Sequence, residues 1–157
     1  MKNNRLQEKR LLRFHRRLPR GDLLRLAFHE AGHTVAALLL GVSVRYVTIK
    51  PCVNHYYEYG ALGHCELESV IKDKLTDAIV TVAADIAVEQ HLGLADDQHG
   101  DLIGEIEPST YAEARARARE LLGTAAAREQ VRALAGRLLQ NRTVYLRSET
   151  DGPTHVA

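Results

Sequence analysis

Four segments of the chain carry apolar residues at three- and four-residue steps, which is the spacing of an amphipathic helix. The first predicted helix has Asp22 as its N-cap residue and ends at about Leu40, just before Gly41. The other three are predicted, in chain order, from Ser69 to about His91, from a cap at Ser109 or Thr110 to Leu122, and over residues 126–144. The pattern therefore predicts a chain that is mainly helical.

Two shorter segments, both between the first and second predicted helices, have the pattern of strands. The stretch "VSVRYVTIK" (residues 42–50) alternates and is rich in β-branched residues, and "ALGHCELE" (residues 61–68) predicts a second short strand. A tyrosine-rich loop, "CVNHYYEYG", joins them. The predicted fold class is thus mainly α with a small β-sheet or hairpin.

Length and composition are those of one globular domain. The chain has 157 residues, of which 45% are hydrophobic and 26% are charged. No apolar run approaches the roughly 20 residues of a membrane-spanning helix, and the N-terminus lacks a secretory-signal pattern. A cytoplasmic location is the resulting expectation. Cys52 and Cys65 do not form a disulfide framework, and we expect two free thiols.

Charge is distributed unevenly along the chain. Residues 1–20 hold eight Lys or Arg against one acid, a net charge of +7, so the remaining residues sum to −6 in a chain of net charge +1. We expect a basic N-terminal arm (1–20), a single domain (21–147) and a disordered polar tail (148–157). No basic patch interleaved with aromatic residues continues into the domain, which argues against nucleic-acid binding.

The first predicted helix carries the strongest chemical motif, "HEAGH". His29 and His33 are four residues apart, so a helix places both imidazoles on one face, as two ligands of one tetrahedral Zn²⁺ require. Glu30 could then act as general base on a water whose pKa the metal lowers toward about 7. This is the H-E-x-x-H pattern of zinc metallopeptidases. Gly32, in the middle of the helix, could allow another backbone or a substrate to approach closely.

A catalytic zinc needs a third protein ligand, and spacing alone does not identify it. A histidine six residues after His33, as in metzincins, is excluded because Leu39 stands there. The remaining candidates are acids and histidines further along the chain, namely Glu89, His91, Asp96, Asp97, His99 and Asp101.

The order of these motifs resembles the peptidase domain of the FtsH-type zinc metallopeptidases. "FHEAGHTVAALLLG" is similar to their HEAGH helix, "VRYVTIKP" and "GALGHCELE" to their strands, and "IVTVAADIAVEQHLG" to their next helix. "QHGDL" resembles the segment that holds the family's third zinc ligand, and "REQVRALAGRLLQNRTV" resembles its terminal helix. The resemblance extends from about residue 22 to residue 145, and it implies a zincin-like helical peptidase domain.

The resemblance implies a role for each matched residue. His29, His33 and Asp101 would bind one zinc ion per chain, and Glu30 would be the catalytic base. The edge of the second strand would bind a polypeptide substrate as an added strand. Its residues are Gly60, Ala61, Leu62, Gly63, His64 and Cys65.

Other features of that family are missing from the sequence. There is no G-x-x-x-x-G-K-[ST] loop, so ATP binding is not expected. The family's transmembrane segment is not found in the sequence either. The sequence therefore predicts a zinc endopeptidase that cleaves unfolded or flexible polypeptides without its own ATPase. The alternative is a zinc-binding but catalytically weak module with a binding or regulatory role. A homo-oligomer and a separate unfoldase partner both stay open.

Overall fold

The computed structural model describes residues 9, 10, 13, 18–51, 62–94 and 106–146. In chain order the elements are α1 (Arg20–Leu39), β1 (Val44–Thr48), β2 (His64–Leu67), α2 (Lys74–Leu92), α3 (Pro108–Gly123), α4 (Ala125–Asn141) and β3 (Thr143–Tyr145). The three strands form one antiparallel sheet in the order β2-β1-β3. The prediction of a mainly helical chain with a small sheet is confirmed for these residues.

Helix α1 begins three residues earlier than the sequence indicates, because its N-cap residue is Pro19. The carbonyl of Pro19 already accepts hydrogen bonds from the backbone N–H groups of Asp22 and Leu23, at 3.0 and 3.2 Å. Asp22 is therefore in the first turn and is not the N-cap residue, so that prediction is wrong. A carboxylate in the first turn still interacts favourably with the positive end of the helix dipole. Gly41, at a φ of 75°, follows the end of the helix as predicted.

Helix α2 begins later than predicted, because a side-chain cap sets its start. The carboxylate of Asp73 accepts hydrogen bonds from the backbone N–H of Thr76 at 2.8 Å and from its hydroxyl at 2.6 Å. Ser69 and Ile71 therefore precede the helix. Its predicted end is confirmed, since Gly93 is the C-cap residue in the left-handed conformation.

The boundaries of the last two helices also follow local chemistry. Pro108 occupies the first turn of α3, so the predicted cap at Ser109 or Thr110 is wrong; both residues lie inside the helix. The hydroxyl of Thr124 accepts a hydrogen bond from the N–H of Ala127 at 3.1 Å, and this cap starts α4 directly after α3.

Strand β3 replaces the predicted end of the last helix. Arg142 has a φ of 66°, which ends α4 at Asn141. The carbonyl of Arg142 accepts a hydrogen bond from the N–H of Ile49, and the hydroxyls of Thr48 and Thr143 lie 2.8 Å apart. The prediction of helix over 126–144 is thus wrong for residues 142–144: Arg142 ends the helix, and pairing with β1 holds Thr143 and Val144 in a strand.

The core forms where α1 packs on α2. Helix α3 packs mainly on α2, whereas α4 and the inner face of the sheet pack on α1. Alanine is the commonest buried residue in this core, which lets the helices approach closely. Gly32 is at the closest point: an added Cβ would lie 2.7 Å from the carbonyl oxygen of Ala83 and 2.7 Å from the Cβ of Ala87. The expected close approach of a backbone at Gly32 is therefore confirmed, and that backbone is α2.

Some predicted segments lie outside the described residues. They are most of the basic arm, the loop of residues 52–60, the acidic segment of residues 95–105 and the tail of residues 148–157. Within the described ranges, none of the helices combines the length and the apolar character that crossing a membrane demands.

Candidate metal centre and substrate edge

The two predicted zinc ligands lie side by side on α1. The ring centroids of His29 and His33 are 4.8 Å apart, with the rings at 89° to each other. Both rings are partly buried, and the helix between them is anchored by buried Ala31 and Gly32. Two imidazoles at this separation on a rigid helix can share one metal ion.

The orientation of His33 is fixed by helix α2. Its Nδ1 lies 2.8 Å from the carbonyl oxygen of Val80. A carbonyl can only accept, so Nδ1 carries the proton and donates it, and Nε2 is the nitrogen that would bind a metal. A backbone acceptor behind a ligand imidazole is common at zinc sites, and it fixes both the tautomer and the orientation of the ring.

Glu30 is almost completely buried, with 4% of its surface exposed, on the same helix as the two histidines. The backbone that enters β2 lies against its side chain at Gly63. An added Cβ on Gly63 would be 3.0 Å from Glu30 Oε1 and 2.8 Å from the carbonyl oxygen of Thr48. Only glycine lets the chain pass this close, so Gly63, the residue just before β2, lies against the side chain of the predicted base.

A second contact joins β2 to the same helix. The hydroxyl of buried Thr34 donates to the carbonyl oxygen of Glu30 at 2.8 Å and is hydrogen-bonded to Cys65 Sγ at 3.4 Å. Burial raises the pKa of the Cys65 thiol to about 12, and the nearby carboxylates of Glu30 and Glu66 act in the same direction. Cys65 is therefore a protonated, inward-facing thiol, consistent with the predicted free cysteine.

The opposite face of β2 is polar. Side chains alternate along a strand, so His64 and Glu66 point away from α1 when Cys65 points toward it. His64 Nε2 lies 3.1 Å from Glu66 Oε2 and 3.3 Å from the hydroxyl of Tyr46 on β1. This outer face of the sheet is separate from the face that covers Glu30.

Two of the alternative third ligands make other contacts in the structure. Glu89 on α2 is bonded by Arg115 and Arg119, both on α3. His91 stacks on Phe28 with ring centroids 5.0 Å apart. Burial lowers the pKa of His91, with a further contribution from two nearby arginines on α4. Both residues therefore have packing or ion-pair roles.

The remaining candidates fall in the segment of residues 95–105. Asp101 lies outside the described residues, as do Asp96, Asp97 and His99. Gly60 and Ala61 of the predicted substrate edge are outside as well, whereas Leu62, Gly63, His64 and Cys65 are described. Within the described part of the chain, His29 and His33 are not joined by a third His, Cys, Asp or Glu to make a metal-binding group.

Sequence reasoning missed the groups that support the motif. The Val80 carbonyl has no sequence signature, because it is a backbone atom brought close by packing. Thr34 had a weak signal, as a hydroxyl residue next to His33 in an apolar segment. Gly63 was assigned to the substrate edge, but its contact with Glu30 depends on tertiary structure.

Comparison of the chain with models of known protein families gives no match, and a search among curated proteins gives none either. The functional assignment therefore depends on the residues and on the geometry of this site.

Proposed function

We propose that the chain is a zinc-dependent endopeptidase with a zincin-like domain. The observation that supports this most is the joint placement of three features: paired imidazoles of His29 and His33, buried Glu30 between them in sequence, and Gly63 against that carboxylate. A structural zinc site needs neither a base nor an approach for substrate, and this arrangement has a candidate for each.

The donor set fits zinc as far as it is described. Two imidazoles, one of them oriented by the Val80 carbonyl, are borderline-soft ligands of the kind that zinc prefers. Asp101 is the proposed third ligand, on the resemblance to the FtsH-type family. When bound, zinc would supply an activated water and polarise the scissile carbonyl.

The chain's own residues would move the proton and hold the substrate. Glu30 takes a proton from the attacking water and returns it to the leaving amine as the peptide bond breaks. Its burial excludes bulk water from the carboxylate, which strengthens the interaction with the reacting groups. The contact at Gly63 brings the strand that would hold the substrate next to this base.

The proposed substrate is an extended polypeptide that adds to the edge of β2. Among the described strands, β2 is at one side of the sheet and pairs with β1 alone. Main-chain hydrogen bonds to such an edge bind an extended segment with little dependence on its sequence. Most backbone groups of a folded protein are already hydrogen-bonded internally, so the proposed substrates are unfolded or flexible chains, or chains that a separate unfoldase delivers.

Glu30→Gln tests the proposal. We expect the wild type and this variant to retain about one zinc per chain, and only the wild type to cleave casein. Glu120→Gln, which removes an exposed carboxylate on α3, is the matched control and should cleave as the wild type does. Equal cleavage by the wild type and Glu30→Gln would contradict the proposal. Zinc binding without any cleavage by the wild type would favour the catalytically weak module.

A further inference from the structure

Glu66 is placed where it can contact a substrate on the edge of β2. Its side chain is on the outer face of the strand and is 41% exposed. His64 holds the carboxylate at 3.1 Å, and the Tyr46 hydroxyl in turn contacts His64 at 3.3 Å. The carboxylate is therefore fixed by its neighbours and still accessible from solvent.

The register of β2 relates Glu66 to the catalytic base. Gly63, which contacts Glu30, and Cys65 face α1, whereas His64 and Glu66 face outward. Glu66 is three residues beyond Gly63, a distance of about 10 Å along an extended strand. An added strand would lie about 4.8 Å from β2, within reach of the Glu66 carboxylate for a long side chain.

We infer that Glu66 is a specificity-determining residue that selects Lys or Arg in the substrate. The selected side chain is the outward-facing one opposite Glu66, about three residues from the residue that lies against Gly63. This inference rests on the proposed function, because it takes the occupant of the β2 edge to be the polypeptide substrate. Charge complementarity identifies that occupant: a fixed, accessible carboxylate beside a strand edge favours a cationic side chain.

The test uses extended peptides that differ at one position. A fluorogenic ten-residue peptide is scanned with Lys and then Glu at each position around the cleaved bond. Wild type should prefer Lys over Glu by about two- to fivefold in kcat/KM at a single position, two to four residues from that bond. Glu66→Lys should reverse the preference there. Glu120→Lys, which makes the same charge change on α3, should leave it as in the wild type.

A binding measurement separates this inference from the proposed function. The same peptides are titrated into zinc-loaded Glu30→Gln protein, with and without Glu66→Lys, by fluorescence anisotropy. If Lys peptides bind more tightly than Glu peptides, and Glu66→Lys reverses this order, the inference is supported even if the wild type cleaves nothing. Absence of cleavage would then defeat only the peptidase assignment.

Three results would overturn the inference. Cleavage without a position-specific charge preference would overturn it and leave the peptidase assignment intact. Failure of every peptide to bind or be cleaved would overturn both. If the wild type forms a dimer that Glu66→Lys dissociates, and no peptide preference is seen, the β2 edge binds a second copy of the chain.

Discussion

Gly32→Ala tests whether the contact between α1 and α2 holds the metal site in place. The new methyl group would lie 2.7 Å from the carbonyl oxygen of Ala83, 2.7 Å from the Cβ of Ala87 and 2.9 Å from the Cα of Ala84. Ordinary van der Waals contact begins at 3.4 Å. The two helices must therefore separate locally by roughly 0.7 Å, the difference between 3.4 and 2.7 Å.

The energetic cost follows from two opposing terms. Overpacking a core costs about 1–3 kcal/mol, and two of the three contacts at Gly32 are with backbone atoms that cannot rotate away. Replacing glycine by alanine inside a helix returns about 1 kcal/mol. We therefore expect Gly32→Ala to lower the free energy of unfolding by up to about 2 kcal/mol. Separation of the helices also weakens the bond from His33 to the Val80 carbonyl, so zinc affinity should fall about tenfold.

Gly136→Ala in α4 is the matched control. An added Cβ at Gly136 meets nothing within 4 Å, so the same substitution there should raise the free energy of unfolding by about 0.5–1 kcal/mol. Urea unfolding followed by circular dichroism at 222 nm measures both variants, and competition with a chelating dye measures zinc affinity. If Gly32→Ala stabilises the protein as much as Gly136→Ala does, the contact described here does not constrain the site.

Three further predictions concern the surroundings of the site. Gly63→Ala should lower kcat while zinc is retained, because its methyl group displaces the Glu30 carboxylate; loss of zinc in this variant would point to a wider disruption. Cys65 should react with iodoacetamide at pH 8 about a thousandfold more slowly in folded than in unfolded protein, as peptide mass spectrometry can measure. A pKa of about 12 instead of 9.0 keeps its thiol protonated, and similar rates in the two states would refute the packing of this thiol against Thr34 of α1. Glu89→Gln should lower the free energy of unfolding by about 1 kcal/mol, through loss of its arginine bonds, and keep zinc, whereas Asp101→Ala should lose it. If zinc analysis shows instead that Glu89→Gln loses zinc and Asp101→Ala keeps it, Glu89 is the third ligand.

The parts of the fold that local patterns determine could be predicted from the sequence. Within the described ranges from residue 18 onward, the spacing of apolar residues predicted the helices α1 to α4, and α2 ends within one residue of the predicted His91. The helix starts were less accurate, because a cap such as Asp73 competes with apolar spacing that continues before it. Strand β3 was missed for a tertiary reason: Arg142 takes a positive φ that its residue type does not signal, and pairing with distant β1 stabilises the strand.

The candidate site, too, could be predicted only in part from the sequence. The spacing of His29 and His33 on a helix was sufficient to predict adjacent imidazoles, and the structure brings their centroids to 4.8 Å. The sequence could not predict the acceptor that orients His33 or the contact between Gly63 and Glu30. Each of those contacts joins residues more than 30 positions apart and depends on how α2 and β2 pack on α1.

The most direct test of the proposed zinc site is a crystal structure of the zinc-loaded protein, with anomalous scattering at the zinc edge to locate the metal. We predict one anomalous peak per chain, bound by His29, His33 and the carboxylate of Asp101, with the remaining coordination position open on the side of Glu30. Absence of a peak beside the two histidines, or a zinc closed by four protein ligands, would contradict the account.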